Sequence, residues 1–596
     1  MFFRKKTSGG RAYLQIVENR REDGAVRQQV IATLGRLEDL RQSGQLERLL
    51  RSGARFADKA IVVGAVADGE ATTSPARRIG AALVFERLWQ ETGCRAVVES
   101  LAGSRQHDFP LERAVFLTVL HRLFSGGSDR AADRWRQDYR IEGVERLGLH
   151  HLYRAMGWLG EELAEHQQAG ATPFAPRCLK DVMEEELFAR RRDLFSTIDL
   201  VFMDTTSLYF EGAGGQTLGR RGFSKDHRPD LNQMILAVLL DGDGRPVCTE
   251  MWPGNTADVS SLIPAVDRLR KRFSINRVCV VADRGMISAE TIAELEARKL
   301  LYILGVRERS DKLVRELVLD DPAPFVPFFL TKRKKEIDYE AKAVTLAGRR
   351  YIVCRNHDQM RKDAAARAAI LAALERELKK GDKALVGNKG YRRFLMKPDD
   401  GHFAIDQAKA EEDAKFDGVF VLRTNARLSP LEAMLVYKQL WTVERAFRTS
   451  KSLFETRPIY HKLDETIRGH VSCSFLALVL KKELEDRIAA MGEVAPWASW
   501  PEILADLDSL TETEVEQDGK RFVLRSPPRP RRELGAARRR RRPAAHRASA
   551  PRRLTRSRQP NPKRSATALF QRRFVFVINA LSVRGVEDQF DRLASQ

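Results

Sequence analysis

Apolar and polar residues alternate on both sides of "EDG" in "RAYLQIVENRREDGAVRQQVIATLG" (11–35), a period of two that predicts a β-hairpin. A linker of small residues follows. From Ile79 to about Gln168 the apolar spacing becomes three and four, in "IGAALVFERLWQ", "PLERAVFLTVLHRLF" and "LHHLYRAMGWLGEELAEH", which predicts helices. This region serves either to bind DNA ends or simply to pack. Near Asp199 short β-prone runs take over: "LVFMDTTSLYF", "LNQMILAVLLD" and "PVCTEMWP" read as consecutive, largely antiparallel strands between Gly-rich turns. "ADVSSLIPAVDRLRKRF" then predicts a helix, "INRVCVVADRG" a buried strand, and "SAETIAELEARK" with "LLYILGV" another helix and strand, so the sum is a mixed α/β unit. Residues 307–415 interrupt it with strands and a charged helix; a span of about 100 residues is too long for a loop and predicts an inserted subdomain. After about Val515 the chain turns polar, and from Arg525 it is rich in Arg, Pro and Ala, with too little to bury for a fold.

These patterns divide the chain into a hairpin region and linker (1–75), a helical region (76–190) and two halves of one α/β unit (191–306 and 416–515). The insertion (307–415) separates the halves, and a disordered Arg-rich tail (516–596) ends the chain. Hydrophobic residues are 43% and charged residues 31%, the balance of a soluble globular protein. "FLALVL" (475–480) is far shorter than the roughly 20 apolar residues of a membrane span, so no membrane partner is expected. Six cysteines stand singly, which indicates neither a disulfide framework nor a zinc site and fits a cytoplasmic protein. The net charge of +22 suggests a polyanion, yet 18 basic residues against one acid lie between Arg525 and Arg573. The charge therefore describes the tail, and any case for nucleic acid at the main body rests on placed residues.

Asp204 closes the run "VFMD" and Asp283 closes "VCVVAD", both at the expected carboxyl ends of buried strands, where α/β sheets build sites. Singly, each is as well read as a turn former or helix cap. Two desolvated carboxylates side by side repel unless a cation neutralises them. In "YKQLWTVERAFRTSK" (437–451), read as one helix, Val436, Val443, Phe447, Ser450 and Phe454 fall within an arc of about 60° as a core face. Tyr437, Glu444, Arg448 and Lys451 fall together roughly 100° away, at the core's margin. Glu444 then either joins the two aspartates, with Tyr437, Arg448 and Lys451 holding phosphates, or forms an ordinary surface pair with Arg448. Three carboxylates favour Mg²⁺ or Mn²⁺ over zinc, and two such ions roughly 3.5 to 4 Å apart would drive an in-line phosphodiester displacement. No G-x-S-x-G, H-E-x-x-H or P-loop motif offers another chemistry.

The same stretch resembles the Y-R-E-K signature of bacterial insertion-sequence transposases of the D-D-E type. Tyr437, Glu444 and Lys451 match, whereas Leu440 stands at the Arg position, leaving Lys438 or Arg448 to supply that charge. "MDTTSLYFEG", "GFSKDHRPDLNQMILAVLLDGDGRPVCTEMWPGNTAD", "VVADRGMIS", "ALVGNKGYRRFL", "DGVFVLRTN" and "RPIYHKLDETIRGHVSCSFLAL" are similar to blocks of the larger members, in order. The resemblance implies an RNase H-like catalytic domain with Asp204 on its first strand, Asp283 on its fourth and Glu444 on a helix after a β-rich insertion. It implies cut-and-paste transposition by a homo-oligomer on double-stranded DNA, both terminal repeats and target, in the bacterial cytoplasm at the nucleoid. Tyr437, Lys438, Trp441, Arg448 and Lys451 would touch DNA, Trp441 and Trp252 would either hold a displaced base or simply pack in the core, and His227 and Asn255 would either serve their loops structurally or contact DNA or support the carboxylates. The alternative is a catalytically inactive DNA-binding relic; a general metal-dependent nuclease ranks third. The tail reads either as an out-of-frame segment after about Arg525 or as a DNA-binding arm.

Overall fold

A computed structural model of the chain describes residues 2–22, 25–46, 48–49, 72–103, 105–168, 171, 175–191, 199–275, 278–307, 311–332, 335–379, 393–396, 403–492, 499–517 and 520–525. The tail from 526 onward, and with it both readings of that segment, lies outside the described residues, as does most of "ALVGNKGYRRFL". Two compact units form, one from the described residues of 1–81, 137–140 and 497–558, the other from the remainder.

In the first unit β2 (Arg11–Glu22) and β3 (Ala25–Arg36) make the predicted hairpin, with Glu22 opposite Ala25. β1 (Phe2–Ser8) adds a third antiparallel strand; its sequence, two phenylalanines followed by basic residues, carries no period of two and concealed it. β4 (Thr72–Thr73) and β5 (Arg77–Arg78) pair with β17 (Thr511–Gln517), which pairs in turn with β18 (Lys520–Arg525). Residues 516–525 were expected to open the tail; instead 516–517 and 520–525 belong to this sheet, beside fully buried Val515. Gly80 permits the close approach here, since a Cβ would stand 2.2 Å from the Leu507 carbonyl oxygen.

The second unit is built on β6 (Asp199–Tyr209), β7 (Gln233–Leu240), β8 (Pro246–Pro253), β9 (Val278–Ala282), β10 (Leu301–Gly305), β11 (Val326–Lys332), β12 (Lys335–Leu346), β13 (Arg349–Asn356) and β16 (Val419–Thr424). Their spatial order is β11-β12-β13-β16-β10-β9-β6-β7-β8. β6, β7 and β8 form an antiparallel meander, β9 and β10 run parallel to β6, and the remaining neighbours are antiparallel. Strands β11, β12 and β13 of the insertion therefore form no sheet of their own. They extend the main sheet through the β13–β16 ladder, because a strand pairs wherever an edge offers unmatched N–H and C=O groups. The excursion from His357 to Gly418 has a small core of its own, around Leu374, Phe394 and Ala410, with a short ladder of β14 (Leu395–Met396) and β15 (Ala404–Ile405); Val314, Val318, Val344, Tyr351 and Val353 form another with Val421.

Parity along the strands separates two apolar layers. Phe202, Leu208, Cys279 and Val281 face the helix Trp441–Ser452, with its Val443 and Phe447. Val201, Met203, Val280 and Ala282 face the helix Asp258–Phe273. Beyond the first layer, helix Asp464–Ala490 is packed by helices Leu111–Phe124 and Leu149–Leu159 of the helical region. Buried Arg122 donates to Ser474 Oγ (2.5 Å) and to His470 Nδ1 (2.9 Å), whose Nε2 donates to the Thr456 carbonyl (2.9 Å). These helices thus brace the α/β core. All six cysteines are buried and unpaired, and among the described residues no helix is long and apolar enough to cross a membrane.

Candidate active site

Asp283 follows the end of β9 as expected. Asp204 does not end its strand: β6 continues to Tyr209 against β7, because "TTSLY" is itself β-prone. What ends beside Asp204 is the parallel ladder, whose last pair is Met203 with Ala282. The two aspartates are thus the next residues on neighbouring strands, and parity turns Asp204 toward the layer of helix Trp441–Ser452.

The predicted single helix is two, Pro430–Lys438 and Trp441–Ser452. Between them the turn tightens: the N–H groups of Gln439 and Leu440 donate to carbonyls three residues back, Val436 and Tyr437, and Leu440 enters the core. The predicted core face otherwise stands, with Val443, Phe447, Ser450 and Phe454 buried. Asp204, Asp283 and Glu444 line one cavity of about 280 Å³, together with Phe420, Tyr437, Lys438, Leu440 and Trp441. The Tyr437 hydroxyl donates to Asp283 Oδ1 (3.0 Å). Gly305 makes room for that hydroxyl, since a Cβ there would stand 2.2 Å from it. Lys438 Nζ lies 3.1 Å from the centre of the Tyr339 ring, and Trp441 is half-exposed with the Arg445 guanidinium over it.

Arg448 and Lys451 are not in the cavity wall. Arg448 is exposed, while Lys451 turns away to pair with Asp226 (2.8 Å). Trp252 is buried beneath the opposite face of the sheet, which removes it as a holder of displaced bases. His227 and Asn255 are exposed on loops. Sequence reading missed Thr205, Lys225, Asp226 and Asp258. The only signal was the charged pair in "SKD" and the acid opening "ADVSS", both ordinary in loops and caps.

Burial pushes the Asp204 carboxyl up to about 6; Lys225 and the Thr205 N–H pull it down, and the charges of Asp283 and Asp258 push it up. Such a carboxylate fits a cation. All the acidic donors are hard oxygens, without sulfur or imidazole, which suits Mg²⁺ or Mn²⁺. Among the described residues no three acidic, His or Cys groups close around a single point.

Because the folded value of Asp204 lies above that of the unfolded chain, its stabilising contribution is complete below about pH 4 and is lost as pH rises through about 6. Metal-free protein should therefore lose roughly 2 kcal/mol from this group between about pH 4 and about pH 7. Thermal unfolding across that range checks it; Asp204→Asn should flatten the Asp204 part of the profile, and an unchanged slope would refute it.

The N-terminal domain of IS1634 family transposases matches residues 3–67, and the transposase DDE domain matches residues 196–480. The two matches together span more than half of the chain. No curated protein matches it.

Proposed function

Because the chain belongs to the insertion-sequence transposases with a DDE domain, we propose that its acidic cavity cuts phosphodiester bonds at the element's ends and joins the freed 3′-hydroxyls to target DNA. The observation that carries this reading is the convergence of Asp204, Asp283 and Glu444 from two strands and a distant helix on one cavity. Asp204, Asp283 and Glu444 would hold divalent cations, Mg²⁺ or Mn²⁺ and in our reading two, which lower the pKa of an attacking water or 3′-hydroxyl and stabilise the leaving oxygen. The catalytic domain is read as RNase H-like, in keeping with the meander β6-β7-β8 followed by parallel β9 and β10.

Asp204 and Asp283 supply charge from a rigid sheet, while Glu444 supplies it from a helix seated by Val443 and Phe447. Tyr437 orients Asp283 through its hydroxyl and stacks beside Phe420 with ring centres 6.3 Å apart. Lys438 and Trp441, on the cavity wall, would meet the DNA backbone and an unstacked base. Arg448 would hold phosphate outside the cavity, and Lys451 would do so only after leaving Asp226. The working form is read as a homo-oligomer on paired ends, in the cytoplasm at the nucleoid.

Incubating the protein with DNA carrying the element's own ends and a target plasmid tests this. Joined 3′-ends are expected. Cutting without joining would leave a general nuclease, and binding without cutting a relic.

A further inference from the structure

Loop residues 224–228 touch β6 just past Asp204, where the ladder with β9 has ended. The Lys225 N–H donates to Ser207 Oγ (2.9 Å), and Ser224 Oγ accepts the N–H of Arg228 (3.0 Å). From this seat two consecutive side chains reach opposite layers. Lys225 Nζ donates to the Thr205 carbonyl (2.7 Å) and Oγ1 (2.9 Å) and pairs with Asp258 Oδ2 (2.9 Å), at the start of helix Asp258–Phe273. Thr205 Oγ1 closes the triangle by donating to Asp258 Oδ1 (2.7 Å). Asp226 Oδ1 accepts from Lys451 Nζ (2.8 Å) and pairs with Arg457 Nη1 (3.3 Å) on the Glu444 side.

The Asp226 side chain is only 5% exposed and that of Lys451 12%, so the link is largely withdrawn from water. The other Asp226 oxygen is buried and accepts no hydrogen bond among the described residues, so both ion pairs of this carboxylate are made by Oδ1. Lys451 follows Glu444 on the same helix, about 10 Å further along its axis. Losing Asp226 would leave Lys451 and Arg457 facing each other without their anion, which is costly where water is scarce.

From this geometry we infer that Lys225–Asp226 is a positioning element, which fastens the helices of both layers to one stretch of β6 and so sets where Glu444 stands relative to Asp204. The inference rests on the metal-site reading above. Lys225 and Asp226 act through other residues and touch neither metal nor DNA in this role.

Ferrous iron bound in place of magnesium, with ascorbate and peroxide, cuts a polypeptide beside its ligands, so it maps each carboxylate separately. The full chain without DNA should be cut near Asp204, Asp283 and Glu444. In Asp226→Asn the cut at Glu444 should fall about tenfold relative to that at Asp204, the scale at which outer partners of metal ligands act. Asp226→Glu should restore it, and cooperative thermal unfolding should persist in both. Lys451→Met should reproduce the selective loss, and it decides the matter if Asp226→Asn fails to fold. A merely structural link would weaken all three cuts together, and a lysine serving only DNA would change none; either pattern overturns the inference. Glu444→Gln separates the two levels. If it loses its local cut while Asp226→Asn and Lys451→Met do not, the positioning role alone fails. If wild type shows no cut, or Glu444→Gln leaves the pattern unchanged, the metal site fails and the positioning role with it.

Discussion

Glu444→Gln is expected to lower end cleavage and joining by about a thousandfold or more, the scale of losing a fixed electrostatic group at a reacting centre. The substitution keeps the side chain's length and hydrogen-bonding shape and removes only its negative charge. Glu444 is exposed on the flank of its helix, so nothing in the core notices the change. Thermal unfolding should therefore stay within about 0.5 kcal/mol of wild type, as for an exposed position. Excision of a marker flanked by the element's genomic ends, compared between wild type and Glu444→Gln in cells, reads the effect. Equal excision by both would remove Glu444 from the acidic set. Failure of both would favour the relic.

Phe447→Ala should cost about 3 to 5 kcal/mol, the usual range for emptying a buried aromatic site. Phe447 is one helical turn from Glu444 and inserts between the sheet and helix, in the cluster that holds Phe202, Phe210 and Val471. The loss combines the transfer of the ring with the cavity left among the apolar side chains of that cluster. A large drop in the denaturant midpoint is the readout; a shift below about 1 kcal/mol would mean that the helix is held by its ion pairs and not by this face.

The contrast between the two residues shows what the sequence discloses. Asp204 and Asp283 stood out as candidates because each follows an apolar run, and Glu444 because it lies at the margin of an apolar helix face; all three line the one cavity. The meander β6-β7-β8 was legible because short β-prone runs are separated by Gly-rich turns. The break at Gln439–Leu440 was not, since every residue from Tyr437 to Val443 continues a helix acceptably and no Gly or Pro marks the spot. Nor was the Asp226–Lys451 pair, whose members are 225 positions apart in the chain. Alternation in β11, β12 and β13 says that they are strands but names no neighbour, so their continuity with the main sheet stayed hidden.

That continuity has a mechanical side. A sheet turns by roughly 20° at each step between neighbouring strands. Five steps separate β9 from β11, so the outer rim is rotated by about 100° relative to the strand that leads into Asp283. The outer strand exposes Val326 and Phe329 along that rim. A push there would not swing a hinged flap; it would wind or unwind one plate, and strain applied at the rim would be felt as torsion at the carboxylates.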